Sequence, residues 1–502
     1  MQKINIYSHY NLTALFSGLL AKFCFGKYYA FWFVPALMFF ILFRILEEKS
    51  PKQSFISGYF FGFGYFFSSL FWVHLPFTYI NQEVLGYFAT LALALYLGCY
   101  PALTCCITKV FFPKKTTTQI IFFCCVWVLT EYLRGIAFTG FPWNLIGYAT
   151  FDIPYFSQIA SIFGIYGVSF LYLVIVLLAI NRKKFSIVLL FLVLAFGYSK
   201  TEIYYPTKND FSNIDLTIVQ PAINQKTKMD YKMFRNNLNS HIALSNLGDG
   251  RTTLYTGNRL IIWPEAAINC FLDKESGVLE YVSSHIVHDN TYIVTGFDRV
   301  TTGKIYNSLI VIGKNNKTYG IYDKRHILPF GEYMPNIFEK IGFKKVTKGM
   351  MNFSQGALPN TMKIDKIVPE FSAIICYETA FPHKIVENYV KSKWILNITN
   401  DAWFCKSDEI LQHLRTTVFR AIEEGRPIIR AANTGISAVI DCNGKILKKL
   451  PENVCGWINT NIPEGKIETM YSKTGDTMII SIISIIMVFC LVSRLKRGLR
   501  AH

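Results

Sequence analysis

Ser372-Ala-Ile-Ile-Cys376-Tyr-Glu378 is an apolar run that ends abruptly on a cysteine and a carboxylate. A short stretch rich in Ile and Val, closed by polar residues, predicts a buried β-strand. The pattern recurs at Ile214–Gln220, Leu260–Trp263, Thr291–Gly296, Ser308–Ile312, Trp394–Ile398 and Ile436–Asp441. Between such runs, Leu411–Gly425 predicts a helix that stops at a glycine with Pro427 close behind. Asn443-Gly444, flanked by Ala438–Cys442 and Lys445–Leu450, predicts a two-residue hairpin turn. Residues 201–470 therefore read as an α/β or α+β sandwich in which helices cover sheets.

Outward from this region the chain changes character. Residues 1–200 are a succession of apolar runs, at roughly 11–26, 29–46, 54–77, 84–108, 118–138, 156–180 and 184–199, near the ~20 residues a helix needs to cross a bilayer. A last run, Met478–Val492, precedes Arg494, Lys496, Arg497 and Arg500, a helix with a basic anchor. The expected organisation is a membrane domain of about seven helices at 1–200, an extramembrane domain at 201–470, and a final helix with a basic tail at 471–502. Basic clusters at Arg44–Lys52, Lys109–Lys115 and Arg182–Lys184 alternate with loops that carry no Lys or Arg. By the positive-inside rule those clusters and the tail are cytoplasmic, which puts residues 201–470 on the external face. Lys22 and Lys27 run mildly against this assignment. No small-residue cleavage pattern follows the first run, so a retained helix is expected rather than a signal peptide.

Composition agrees with a membrane protein. Hydrophobic residues make up 52% and charged residues 17% of the 502, against roughly 45–50% and about 25% in soluble proteins. The net charge of +18 raises nucleic acid as a partner, but no recognition motif accompanies it and the excess flanks apolar runs. Nucleic-acid binding is not expected. Of twelve cysteines, Cys24, Cys99, Cys105, Cys106, Cys124, Cys125 and Cys490 lie in apolar stretches, where a thiol acts as a small hydrophobe. There is no C-x-x-C pair to suggest zinc or dithiol chemistry.

Three motifs sit at or just beyond strand ends, where rigid folds place reacting groups. Leu260-Ile-Ile-Trp-Pro-Glu265 carries a carboxylate to the tip of a strand, Tyr322-Asp-Lys324 a lysine, and Ser372–Glu378 the cysteine. Taken singly, each has a plainer reading: Cys376 a buried strand thiol, Glu265 a turn residue, Lys324 a solvated charge. Together they form a complete set for acyl transfer. A thiol protonated at neutral pH needs a base, a glutamate shielded from water can take its proton, and a lysine can balance thiolate and oxyanion.

The order Glu, Lys, Cys, each in its motif, resembles the nitrilase (carbon–nitrogen hydrolase) superfamily. With the apolar N-terminal half, the chain resembles the apolipoprotein N-acyltransferase family. The membrane half contributes Glu131-Tyr-Leu-Arg134-Gly, Gly140-Phe-Pro-Trp143 and Gly164-Ile-Tyr-Gly167. The other half adds Tyr306-Asn-Ser308, Pro329-Phe-Gly-Glu332, Asn400-Asp-Ala-Trp403, Gln412-His413 and Asn433-Thr-Gly435. The resemblance implies a nitrilase-like αββα sandwich joined to about eight transmembrane helices in all, with Cys376 as nucleophile, Glu265 as general base and Lys324 as oxyanion-stabilising cation. Glu332 would orient the lysine, Tyr377 and Glu378 would shape the nucleophile's turn, and the Tyr377 N–H would be an oxyanion donor. Trp403 would line a lipid-facing pocket on a mobile loop. Arg134, Trp143 and Met229 complete the candidate substrate-binding set. Met229 stands after Lys228 where the family usually has Trp. Arg134 reads equally as a headgroup contact or an interfacial anchor, and Trp143 and Tyr148 also suit an aromatic interfacial belt. His326 and His413 read as structural hydrogen-bonders.

The implied activity is transfer of a fatty acyl chain from a membrane phospholipid, through a Cys376 thioester, to the α-amino group of an apolipoprotein's N-terminal diacylglyceryl-cysteine. The implied location is the bacterial inner membrane with the catalytic domain periplasmic. The chain is expected to act as a monomer without metal or organic cofactor. The rival readings are a membrane-tethered amidase of the nitrilase type and a non-enzymatic transporter. The second has little support, because the spans carry no midplane charges.

Overall fold

A computed structural model describes residues 2–27, 33–47, 49–203, 214–247, 258–271, 277–286, 290–340, 342, 345, 352–357, 359–364, 368–388, 391–463, 465 and 468–499. The start of the second expected span, 29–32, and the tail residue Arg500 lie outside them. The chain divides into two compact units: 1–78, 82–205 and 469–502 form one, and 79–81 with 206–468 form the other.

The first unit is helical. Among its described residues five helices are long and apolar enough to cross a membrane: Glu83–Phe111, Thr117–Ile136, Phe156–Ile180, Phe185–Glu202 and Asp476–Lys496. Pro51–Ser69 and Phe71–Thr78 make a sixth if the pair, bent by 58°, is one span. The helices at the first two expected spans differ from full spans. Gln2–Leu19 begins among polar residues, and Val34–Leu46 is only 13 residues long. Ser50 starts the Pro51–Ser69 helix with a reciprocal cap, its side chain accepting from Gln53 N–H while the Gln53 side chain accepts from Ser50 N–H.

The second unit is built on two sheets. Strands in chain order are β1 (Ile214–Gln220), β2 (Asn258–Ile262), β3 (Ile268–Phe271), β4 (Thr291–Thr301), β5 (Lys304–Ile312), β6 (Thr318–Asp323), β7 (Thr361–Ile364), β8 (Val368–Ile375), β9 (Trp394–Thr399), β10 (Ile428–Ala432), β11 (Ser437–Ile440), β12 (Ile446–Leu450) and β13 (Gly456–Thr460). One sheet runs β13-β1-β2-β4-β5-β6, with β3 on β4, and the other runs β12-β11-β10-β9-β8-β7. In each, the central strands β1, β2, β4 and β8, β9, β10 are parallel. Parallel strands are covered on both faces and read as continuous apolar runs, which is why these segments were legible.

Side-chain alternation separates two apolar layers. Leu260 and Ile262 of β2 join Ala373 and Ile375 of β8 and Leu396 of β9 in the core between the sheets. Ile261 and Trp263 face the other way, onto Leu238 and Ile242 of the Phe234–Leu247 helix and Val282 of the Gly277–Ile286 helix. The Glu409–Glu424 helix covers β10 and ends on Gly425 at φ +60°. The architecture is thus the expected αββα sandwich. The β11–β12 hairpin differs in detail. Asp441 N–H bonds the Lys445 carbonyl, so three residues rather than two form the loop, with Gly444 at φ +81° in the left-handed position that a three-residue loop requires.

Candidate active site

Ligand sites in parallel sheets lie beyond the carboxyl ends of the strands, and the candidate residues gather there. Glu265 follows β2 and the stop at Pro264. Gly296 on the neighbouring β4 makes room for it: a Cβ at 296 would lie 2.5 Å from Ala266 N and 2.7 Å from Glu265 Cα. Lys324 directly follows β6, its N–H bonded to the Asn307 carbonyl at 2.8 Å. Glu332 is folded back by a bond from Leu328 N–H to its Oε2 at 2.7 Å. Cys376 follows β8 with φ +51°, a left-handed conformation that non-glycine residues adopt at a cost.

The three charged groups form one buried cluster. Lys324 Nζ lies 2.9 Å from Glu332 Oε1 and 3.7 Å from Glu265 Oε1. The Asn307 side chain donates to both carboxylates, at 2.7 Å to Glu265 and 2.9 Å to Glu332. Asn400 N–H donates to the other Glu265 oxygen at 2.8 Å. Burial opposes the charge on Lys324, yet the Glu332 and Glu265 carboxylates hold its ammonium above the ordinary lysine value. The half-buried Cys376 lies within electrostatic reach of Glu265 and Lys324. Desolvation, then Glu265, pushes its thiol well above the usual cysteine range, with Lys324 pulling the other way. A thiol held protonated beside an acceptor carboxylate and a fixed cation suits proton transfer concerted with attack, rather than a resting thiolate.

Glu378 clamps this arrangement. One oxygen accepts from the Tyr322 hydroxyl and from the backbone N–H groups of Arg325 and His326, and the other from Ile375 N–H at 2.7 Å. It therefore ties the end of β6 to the cysteine turn. Tyr377 packs its ring edge-on to Phe381 at 5.1 Å.

Sequence reasoning passed over several participants. Asn307 and Asn400 lay within quoted motifs without a role, and Asn433 binds the Asn400 side chain at 2.9 Å. Lys228 is buried and donates to the Glu265 carbonyl at 2.8 Å. Burial pulls its ammonium down to about 8. Their signal was faint, because each partner lies tens to hundreds of residues away in sequence.

Of the other candidates, Trp403 and Met229 are half-buried in the sheet unit. Arg134 and Trp143 belong to the helical unit and are buried there at 2% exposure. Arg134 donates to the carbonyls of Phe141 and Trp143, both at 2.7 Å, so its hydrogen bonds go to protein backbone rather than to a surface. Trp143, and Tyr148 at 3% exposure, pack inside the unit rather than forming a belt. Asp401, Glu409 and His413 bring potential ligand atoms within 4.8 Å of one another. The Arg430 guanidinium already pairs with Asp401 at 2.8 Å and supplies the positive charge there. Among the described residues no disulfide joins any of the cysteines.

Asp298 on β4 gives a measurable consequence of this crowding. Burial first, then the Glu265 and Glu332 carboxylates, push it up to about 7, against Lys228 and Lys345. A carboxyl raised in the folded state stabilises fully below its unfolded value and loses that contribution as pH rises through the folded one. Asp298→Asn is therefore expected to melt higher than the parent at pH 8, with the gap closing toward pH 4. Thermal unfolding in detergent across that range checks this, and parallel curves for the two proteins would count against it.

Two stacked sheets with Glu, Lys and Cys at their strand ends define the carbon–nitrogen hydrolase class, and residues 216–471 match the family model described as carbon-nitrogen hydrolase. Residues 17–199 match the model described as apolipoprotein N-acyltransferase N-terminal domain. The chain is 34% identical to the apolipoprotein N-acyltransferase of Rickettsia prowazekii, covering 96% of this chain and 98% of that one. It is 34% identical to that of Rickettsia typhi, covering 92% and 94%. The chain belongs to the apolipoprotein N-acyltransferase family, and is an acyltransferase and a membrane protein. Among solved structures, a carbon–nitrogen hydrolase superfamily protein of Xanthomonas campestris aligns with 50% of this chain and 90% of its own, at 17% identity and a TM-score of 0.37.

Proposed function

We propose that this enzyme moves a fatty acyl chain from a membrane phospholipid to the α-amino group of an apolipoprotein's N-terminal diacylglyceryl-cysteine, through a thioester on Cys376. The observation that carries the reading is the buried Glu265–Lys324–Glu332 cluster, fixed by Asn307, within reach of a cysteine in a strained turn.

Glu265 takes the thiol proton as Sγ attacks the ester carbonyl, and Lys324 with the Tyr377 N–H balances the oxyanion. The C–O bond then breaks, Glu265 returns the proton to the departing lysophospholipid oxygen, and the thioester remains. The acceptor amine attacks that thioester, Glu265 accepts its proton, and the C–S bond breaks as Glu265 passes that proton to Sγ, which releases Cys376 as the thiol. Trp403 and Met229 are assigned to the acyl-chain wall. Both substrates are lipid-anchored, which gives a physical reason for joining this chemistry to a helical membrane unit. The basic loops support placing residues 206–468 on the periplasmic face of the inner membrane.

The test is intact-mass measurement of the detergent-solubilised protein after incubation with phosphatidylethanolamine and phosphatidylglycerol in mixed micelles. The expected result is a gain of one fatty acyl group that a diacylglyceryl-cysteine peptide discharges to an N-acyl product. Discharge to water at the same rate without the peptide would favour the membrane-tethered amidase. No adduct on the folded enzyme would remove phospholipid as donor.

A further inference from the structure

The Cys376 turn is held from an unexpected side. His413, on the Glu409–Glu424 helix and 1% exposed, brings Nε2 to 3.1 Å from the Cys376 carbonyl oxygen. A carbonyl only accepts, so Nε2 carries the ring proton. The other nitrogen, Nδ1, lies 3.2 Å from Arg430 Nη2 and 3.1 Å from Asp401 Oδ1. Burial and the Arg430 guanidinium both lower the proton affinity of His413, against the pull of the Asp401 carboxylate. Burial opposes ionisation of Asp401, yet Arg430 and His413 hold its carboxyl well below the usual carboxylate range.

The support is built rather than incidental. Thr399 Oγ1 donates to Asp401 at 2.8 Å, and Arg430 also bonds the Asn397 side chain at 2.6 Å. Gly435 leaves room for the carboxylate, because a Cβ there would lie 2.0 Å from Asp401 Oδ2. The ring is thus held by groups from β9, β10 and the loop after β9, with Nε2 turned toward the Cys376 carbonyl.

A peptide group is planar, with its C=O and N–H on opposite sides of a trans bond. Gripping the Cys376 oxygen therefore also sets the direction of the Tyr377 N–H. We propose that His413 is a positioning residue for acyl transfer, fixing the Cys376–Tyr377 peptide so that its N–H faces the developing oxyanion. The assignment rests on the reading of Cys376 as nucleophile. It predicts a defect in steps that build an oxyanion and none in the intrinsic reactivity of the thiol.

Gln and Asn at 413 separate these effects, since a Gln amide nitrogen reaches about as far as Nε2 and an Asn amide nitrogen only as far as Nδ1. Acylation of Cys376 by the same phospholipid micelles is followed by mass. Alkylation of Cys376 by iodoacetamide, which builds no oxyanion, is followed by peptide mapping. His413→Asn is expected to slow acylation about 10- to 100-fold, short of the 100- to 1,000-fold that losing an oxyanion donor outright costs. The half-saturating lipid concentration and the alkylation rate should stay within about threefold, and His413→Gln should recover most of the acylation rate.

Acylation by His413→Asn at the parental rate overturns the proposal, as does a parallel fall in acylation and alkylation. If the Asn variant does not fold, the Gln variant decides: near-parental acylation supports the proposal, and a folded but slow His413→Gln overturns it. Acyl adduct surviving in Cys376→Ala would instead remove the nucleophile reading, and the role of His413 with it.

Discussion

Cys376→Ala is expected to form no acyl adduct with phospholipid and to lose transfer by about 10⁴-fold or more, the scale on which removing a covalent nucleophile acts. The side chain is small and only half-buried, so the substitution should leave folding almost untouched. Melting within a few degrees of the parent would separate lost chemistry from lost structure. Cys376→Ser is the sharper variant. Its hydroxyl keeps the shape but resists deprotonation far more than a thiol, so on the proposed mechanism Glu265 would activate it less and the loss should remain above about 10³-fold. An acyl adduct on Cys376→Ala would move the nucleophile elsewhere and dissolve the mechanism.

The second large effect is expected at Lys324. Lys324→Met removes the ammonium that faces Glu332 at 2.9 Å and Glu265 at 3.7 Å. Two buried carboxylates then share Asn307 with no cation between them. Breaking a buried pair by deleting one partner costs about 3–5 kcal/mol, and losing the oxyanion cation costs about 100- to 1,000-fold in rate. Both should appear, as a lower denaturation midpoint and as slowed acylation. Adding Glu332→Gln to Lys324→Met should restore part of the stability and none of the rate. Lys324→Arg should rescue poorly, because a planar fork does not fit a seat shaped for a compact ammonium. A stable and active Lys324→Met protein would show that the cation is dispensable.

The sequence exposed what local pattern controls. Parallel strands covered on both faces read as apolar runs, and Glu265, Lys324 and Cys376 stood out because each interrupts one at its end. The family was legible in the same motifs. What escaped depends on distant partners. Asn307 gains meaning only when Glu265 and Glu332 meet at its amide. The Glu409–Glu424 helix carries charges that suggest a solvated face, yet Glu409, Arg415, Arg420, Glu423 and Glu424 are all buried. Arg420 pairs with Glu423 at 2.8 Å inside the fold, a contact that composition cannot distinguish from surface charge. β13 returns to pair with β1 from the far end of the sheet unit, where residue spacing gives no hint. The hairpin differs by one residue because Asn-Gly also suits a three-residue loop with glycine last.

The helical unit is discontinuous in sequence, since residues 469–502 belong with 1–78 and 82–205 while 206–468 fold apart. A ribosome therefore delivers the whole sheet unit before the Asp476–Leu499 helix exists. Until then Phe112, Phe122 and Val126 lack Cys490, the last member of their apolar cluster. The early helices must wait in the bilayer as an incomplete bundle with that seam open, so a stop codon near residue 470 would leave the strands intact and fail in membrane assembly.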